Sequence, residues 1–166
     1  GNTTITGNLQ VDAAGAITQS AGAALTVVGT ADLDTDAADT PGTGFAITLA
    51  NNNTAGVSVN SFGYLVLDGA AINIREGNPM NLGSVDAAAL TLFSTGSVTA
   101  EATVAPAPVF TGEVNATGIT SINTGKGGNI TLTSALNDFS TINLSGANIV
   151  LVEAPTTAID LGNITA

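Results

Sequence analysis

Residues 16–34 read AITQSAGAALTVVGTADLD, one plain phrase said twice: small residue, aliphatic, Thr or another polar residue, then Gly and Ala. Laid out in eights from Asn8, the chain gives NLQVDAAG, AITQSAGA, ALTVVGTA and DLDTDAAD, with Leu9, Ile17, Leu25 and Leu33 at one position. The rhythm returns less strictly in NITLTSAL (129–136), TINLSGAN (141–148), NIVLVEAP (148–155) and AIDLGNIT (158–165). Each line predicts a strand of three to five residues that alternates apolar and polar positions, closed by a Gly, Asn or Ala corner. Gly and Asn tolerate the positive φ that a sharp corner needs. Helix competes poorly, because Thr, Val, Ile, Gly and Asn are dense and aliphatics recur at a spacing of two. Only SVDAAALTL (84–92) leaves room for a helical turn.

Short strands with corners every eight residues predict an all-β chain folded as a parallel β-solenoid, with about three short strands per coil. Each coil then takes roughly 20–25 residues and stacks on the next, giving about seven coils. A sandwich wants longer strands and an aromatic core, and aromatics are only 4% here. The whole of residues 1–166 reads as one solenoid unit. Three stretches break the rhythm and are expected to project as loops: 34–44, 75–81 and 101–110, each with Pro. Proline cannot donate to a ladder, so these prolines also blunt edge pairing.

Composition narrows the function classes. Two cations face thirteen carboxylates, for a net charge of −11. With so few cations to neutralise phosphates, no nucleic-acid partner is expected, nor docking to an anionic membrane surface. No run of 18 apolar residues exists to cross a bilayer as a helix, and the strands are too short and aromatic-poor for a membrane barrel. Cys and His are both absent, so no disulfide forms and nucleophilic triads lack their base. No enzyme is expected. The first residue is Gly1 and no apolar leader follows it, so any signal peptide is expected to lie upstream or to have been removed.

GNLQVDAAGAITQSAGAALTVVGTADL (7–33) and GGNITLTSALNDFSTINLSGANIVLVEAPTTAIDLG (127–162) resemble the repeats of very large bacterial surface and secreted adhesins of the filamentous-haemagglutinin kind. The resemblance covers about residues 1–33 and 128–166. It implies a right-handed β-helix, an extracellular or cell-surface setting, and a structural role as a building unit of a surface fibre or giant adhesin.

The chain's end, AIDLGNITA, runs into its own beginning, GNTTITGNLQ, without a change of rhythm. Neither end carries the charges or amphipathic helix of a cap, and uncapped solenoid ends expose unpaired backbone groups and core. Self-association head to tail is therefore expected, through Ile5, Leu9 and Val11 at one end and Ile159, Leu161 and Ile164 at the other. Continuation as a covalent array or as a filament are both open.

Small-ligand chemistry is sparse. Asp32, Asp34, Asp36 and Asp39 alternate in DLDTDAAD and could offer hard oxygens to Ca²⁺, but Ala37 stands where an EF-hand needs Gly and no Glu closes the loop. No other cofactor is implied. Thr-X-Thr pairs such as Thr4/Thr6 and Thr131/Thr133 do not recur coil after coil, which speaks against an ice-binding face. The alternative function is a carbohydrate-binding or carbohydrate-processing β-helix, which requires a groove with aromatics and carboxylates.

Overall fold

A computed structural model describes residues 1–36, 43–50, 59–103, 109–125, 127–155 and 158–166. Among these there is no helix, and thirteen strands form one parallel sheet: β1 (Thr3–Ile5), β2 (Leu9–Asp12), β3 (Ile17–Thr18), β4 (Leu25–Asp34), β5 (Ile47–Leu49), β6 (Ser61–Glu76), β7 (Met80–Ser94), β8 (Val98–Ala100), β9 (Glu113–Asn123), β10 (Ile130–Leu132), β11 (Asp138–Ser145), β12 (Ile149–Leu151) and β13 (Asp160–Thr165). The fold is a parallel β-solenoid.

The register makes the coils explicit. One inward column runs Leu9, Ala31, Leu65, Leu82, Ala100, Leu132, Leu151. A second runs Ile17, Ile47, Ile72, Leu90, Thr120, Ile142, Leu161. Seven rungs therefore stack along one axis, and at about 4.8 Å per rung the stack is roughly 30 Å long. Every coil has three walls. The first holds β1, the starts of β4, β6 and β7, then β8, β10 and β12. The second holds β2, the end of β4, the middles of β6 and β7, and the starts of β9 and β11. The third holds β3, β5, the ends of β6, β7, β9 and β11, and β13. Inward aliphatics of all three walls meet in one narrow core in which Leu65, Ile74, Leu82, Leu90 and Leu132 are fully buried.

The strands differ in length from the three to five residues expected. β6 has 16 residues and β7 has 15, because pairing persists around their corners. Small residues make this possible: Gly69, Ala70 and Ala71 turn β6, and Ala87, Ala88 and Ala89 turn β7. SVDAAALTL belongs to β7 for the same reason, since Val85, Ala87, Leu90 and Leu92 all face the core.

Residues 75–81 do not project. Arg75 and Glu76 end β6, Met80 and Asn81 begin β7, and only Gly77–Pro79 lie outside strands. Pro79 turns a corner here, immediately before the strand resumes. Of the stretches 34–44 and 101–110, Asp34 ends β4, and residues 37–42 and 104–108 lie outside the described residues. Their bases are pinned alike: Phe45 N–H donates to Thr35 Oγ1 at 3.1 Å, and Phe110 N–H donates to Thr103 Oγ1 at 2.9 Å. Beside the second loop, Gly112 has φ +63, and a Cβ there would lie 2.3 Å from the Glu101 carbonyl carbon, so only glycine fits.

Candidate functional site: open ends, an acidic wall and a corner clamp

The residues expected to self-associate fall into two groups at opposite ends of the stack. Ile5, Leu9 and Val11 are half-buried and line a hollow of about 310 Å³ at the first coil, together with Ile17, Leu25, Leu33 and Leu49. Strands β1 and β2 pair only with β4, and β3 only with β5, so this edge offers its backbone groups outward. At the far end β12 pairs only with β10, and β13 only with β11. There Leu161 and Ile164 continue inward columns yet stand 58% and 44% exposed, because no further rung covers them. Ile159, just before β13, is half-buried against the core. Ile17, Ile149 and Leu151 also stand at the two ends of the stack, and their positions in the aliphatic pattern carried that signal.

The four aspartates considered for calcium do not converge. Asp32 and Asp34 face outward on the second wall, whereas Asp36 is buried and accepts a hydrogen bond from the Thr43 hydroxyl. Asp34 Oδ1 accepts from the Asp36 N–H, which ties the turn together. Asp39 lies outside the described residues, and among those described no three acidic side chains are placed to hold one ion.

Register assembles a different acidic array. Asp12, Asp34, Asp68 and Asp86 stack as one outward column of the second wall, continued by Asn115 and Asp138. Asn115 interrupts the run of charge and donates its Nδ2 to Asp86 Oδ1 at 3.1 Å. In the neighbouring column Asp32 has its carboxyl pushed up, first by burial and then by Asp12 and Asp34. The third wall is nearly neutral by contrast, with an outward row of Thr18, Thr48, Asn73, Thr91, Ser121 and Asn143. Sequence spacing hid both rows, because the excursions after β4 and β8 separate rungs by unequal lengths of chain.

Two buried corners repeat a motif that sequence reasoning missed. Asn60 is 1% exposed and ties two rungs together: its Oδ1 accepts from Leu25 N–H at 2.9 Å, and its Nδ2 donates to Leu49 O at 2.9 Å and Arg75 O at 3.2 Å. Two residues on, Phe62 N–H donates to Glu76 Oε1 at 2.7 Å. Asn137, wholly buried, does the same: Oδ1 accepts from Val114 N–H and Nδ2 donates to Val152 O, both at 2.9 Å, while Phe139 N–H donates to Glu153 Oε1. Asn-X-Phe followed 14 residues later by Glu is the sequence form of this clamp. Burial pushes the Glu76 carboxyl up to about 8 despite the Phe62 N–H, and its Oε2 has no hydrogen-bond partner.

A cleft of about 390 Å³ lies at the edge of the second wall, where Asp12, Asp34 and Asp36 meet Phe45, which is 51% exposed. The other aromatics are engaged within the molecule. Arg75 lies 4.0 Å over the Phe93 ring, Tyr64 packs on Phe110 with centroids 5.0 Å apart, and Phe62 and Phe139 are buried.

Stacked rungs, congruent columns and open ends define a repeat protein of the β-solenoid class. More particularly, the chain belongs to the family of repeats of unknown function (DUF5649), whose model matches residues 1–66 and again 69–146. Comparison with curated proteins and with solved structures returns no match. The second copy begins within β6, which passes from one repeat to the next as a single strand. VDAA at 11–14 recurs at 85–88, and Val11, Leu33, Leu67 and Val85 form one column, so the phrase returns to the same column three rungs on.

Proposed function

We propose that this chain is a structural, extracellular building unit of a bacterial surface fibre or giant adhesin, continuing head to tail through its end coils. One observation carries the reading: inward aliphatic columns run to both ends and stop there uncovered, at Leu9 and Ile17 on one side and Leu151, Leu161 and Ile164 on the other. A further coil placed on either end pairs backbone groups worth about 0.5–1.5 kcal/mol each and removes core from water. Two consecutive family matches along one unbroken stack support the same reading, since the repeat is built to follow itself. The acidic wall gives a chain with only 9% charged residues a surface that favours solubility. No reaction is assigned to the chain.

Electron microscopy of native material, without refolding and with and without SDS and heat, tests this. Thin fibres much longer than the roughly 30 Å of seven rungs are expected. Dissociation into pieces of about 16 kDa identifies a filament of subunits, and resistance identifies one giant chain. Isolated particles a few nanometres long in native material contradict the proposal.

A second reading, carbohydrate binding, has one observation in its favour, the cleft where Phe45 stands beside Asp12 and Asp34. It predicts glycan-array binding that is lost on Phe45→Ala. Signal that is absent, or unchanged in the variant, removes it.

A further inference from the structure

We infer that the two ends of the rod mate in a single rotational setting, third wall on third wall, so that Leu161 of one copy stacks on Ile17 of a second and β12 on β1. The inference rests on the head-to-tail reading and specifies its partner, another copy of this chain, and its register.

A three-walled rod could dock end to end in three settings, and the columns distinguish them. The Ile17–Leu161 column passes through all seven rungs on the third wall, whereas the Leu9–Leu151 column crosses from the second wall to the first at the register shift after Leu65. Both ends of the stack therefore present an aliphatic at the same place on the third wall. The junction between the two family copies inside the chain supplies the precedent. Across it, Leu33 pairs with Leu67 and Leu67 with Val85, wall on its own wall, with no rotation.

Rotation by one wall breaks this match. It would set the nearly neutral third wall, with its Thr and Asn row, beside the carboxylate column that begins at Asp12, and would interrupt both outward rows. It would also move the aliphatics of one end away from those of the other.

The ends differ in the second wall, where β2 opens the stack and no described strand lies between β12 and β13 at the far end. The corner between the first two walls already takes up irregularity inside the rod, through register shifts between Val27 and Thr30 against β6, and between Leu65 and Val66 against β7. The third wall, where Leu161 meets Ile17, needs no such adjustment.

The chain has no cysteine, so engineered pairs report without background. Three double variants each carry Asn163→Cys, at the bulge that faces Asn143, with one outward position on each wall of the first coil: Thr18→Cys (third), Gln10→Cys (second) or Thr4→Cys (first). After mild oxidation at high concentration, non-reducing electrophoresis shows the multimers and mass spectrometry identifies the linked peptides. The 163–18 linkage is expected to predominate by tenfold or more. A dominant 163–10 or 163–4 linkage, equal yields from all three pairs, or filaments that form without any cross-link overturn the register and leave head-to-tail growth standing. Single particles in all three variants and in the unmodified chain overturn the mating of separate copies and leave only the covalent array.

Discussion

Thr120 occupies a place in the Ile17–Leu161 column where every other rung has Ile or Leu, and its fully buried Oγ1 has no hydrogen-bond partner. A buried hydroxyl without a partner loses its hydration and gains nothing in return. Thr120→Val is isosteric and is expected to raise stability by about 1 kcal/mol in urea unfolding; a destabilised variant means the hydroxyl is bonded. Glu76 presents the same physics in ionisable form. Its carboxyl holds a proton in the folded chain up to about pH 8, whereas the unfolded chain releases it near 4.5. Stability is therefore fullest at and below about pH 4.5 and falls as pH rises toward 8, by a total on the order of a few kcal/mol from this group. The raised carboxyl of Asp32 acts in the same direction. Thermal unfolding followed from pH 4.5 to 9 should show a declining midpoint, and Glu76→Gln, which keeps an acceptor for Phe62 N–H, should flatten the decline. A midpoint that instead rises with pH contradicts the assignment. None of this was legible beforehand, because Glu76 stood in a stretch whose Pro and Gly suggested an exposed loop.

At the scale of the element, the sequence pattern was most informative where rungs are short and evenly spaced. Leu9, Ile17, Leu25 and Leu33 recur every eight residues because each is the inward residue of a successive stretch around a coil. Leu9, Ile17 and Leu33 lie on the long inward columns, while Leu25 pairs with Thr3 at the open edge of the first coil. The pattern was less informative about length, since Ala-rich corners such as Ala87–Ala89 let a strand continue where a Gly or Pro would have been needed to end it. The acidic column was illegible for a different reason: Asp34 and Asp68 are 34 positions apart in the chain but adjacent in the sheet. Like charges in register repel, so Asp34→Asn, which preserves Oδ1 for the Asp36 N–H, is expected to stabilise the fold by about 0.5–1 kcal/mol at low salt and by less at high salt. An effect independent of salt means that the carboxylates do not interact. The corner clamp makes the opposite prediction. Asn137→Ala leaves Val114 N–H and Val152 O unsatisfied inside the stack and should cost at least 1–3 kcal/mol, read as an earlier loss of β-sheet circular dichroism on heating. A melting curve that does not move removes the clamp from the account.

For the molecule as a whole, continuity is the property that links composition to role. Small aliphatics fill a narrow core, charge is confined largely to one wall, and the repeat returns to its own column after three rungs, so each copy prepares the surface on which the next can stack. The head-to-tail rhythm of AIDLGNITA and GNTTITGNLQ is the sequence form of that proposal, and Leu161 and Ile164, inward in register yet exposed, are the residues it would cover. Setting and target, by contrast, have no residue-level signature in a chain whose outward rows are plain Asp, Thr and Asn. The most direct measurement is X-ray diffraction from aligned native fibres. Coils stacked along the fibre axis place their backbone repeat of about 4.8 Å along that axis, so the account predicts a strong reflection on the meridian at that spacing. The same reflection on the equator, with strands running along the fibre, would contradict it.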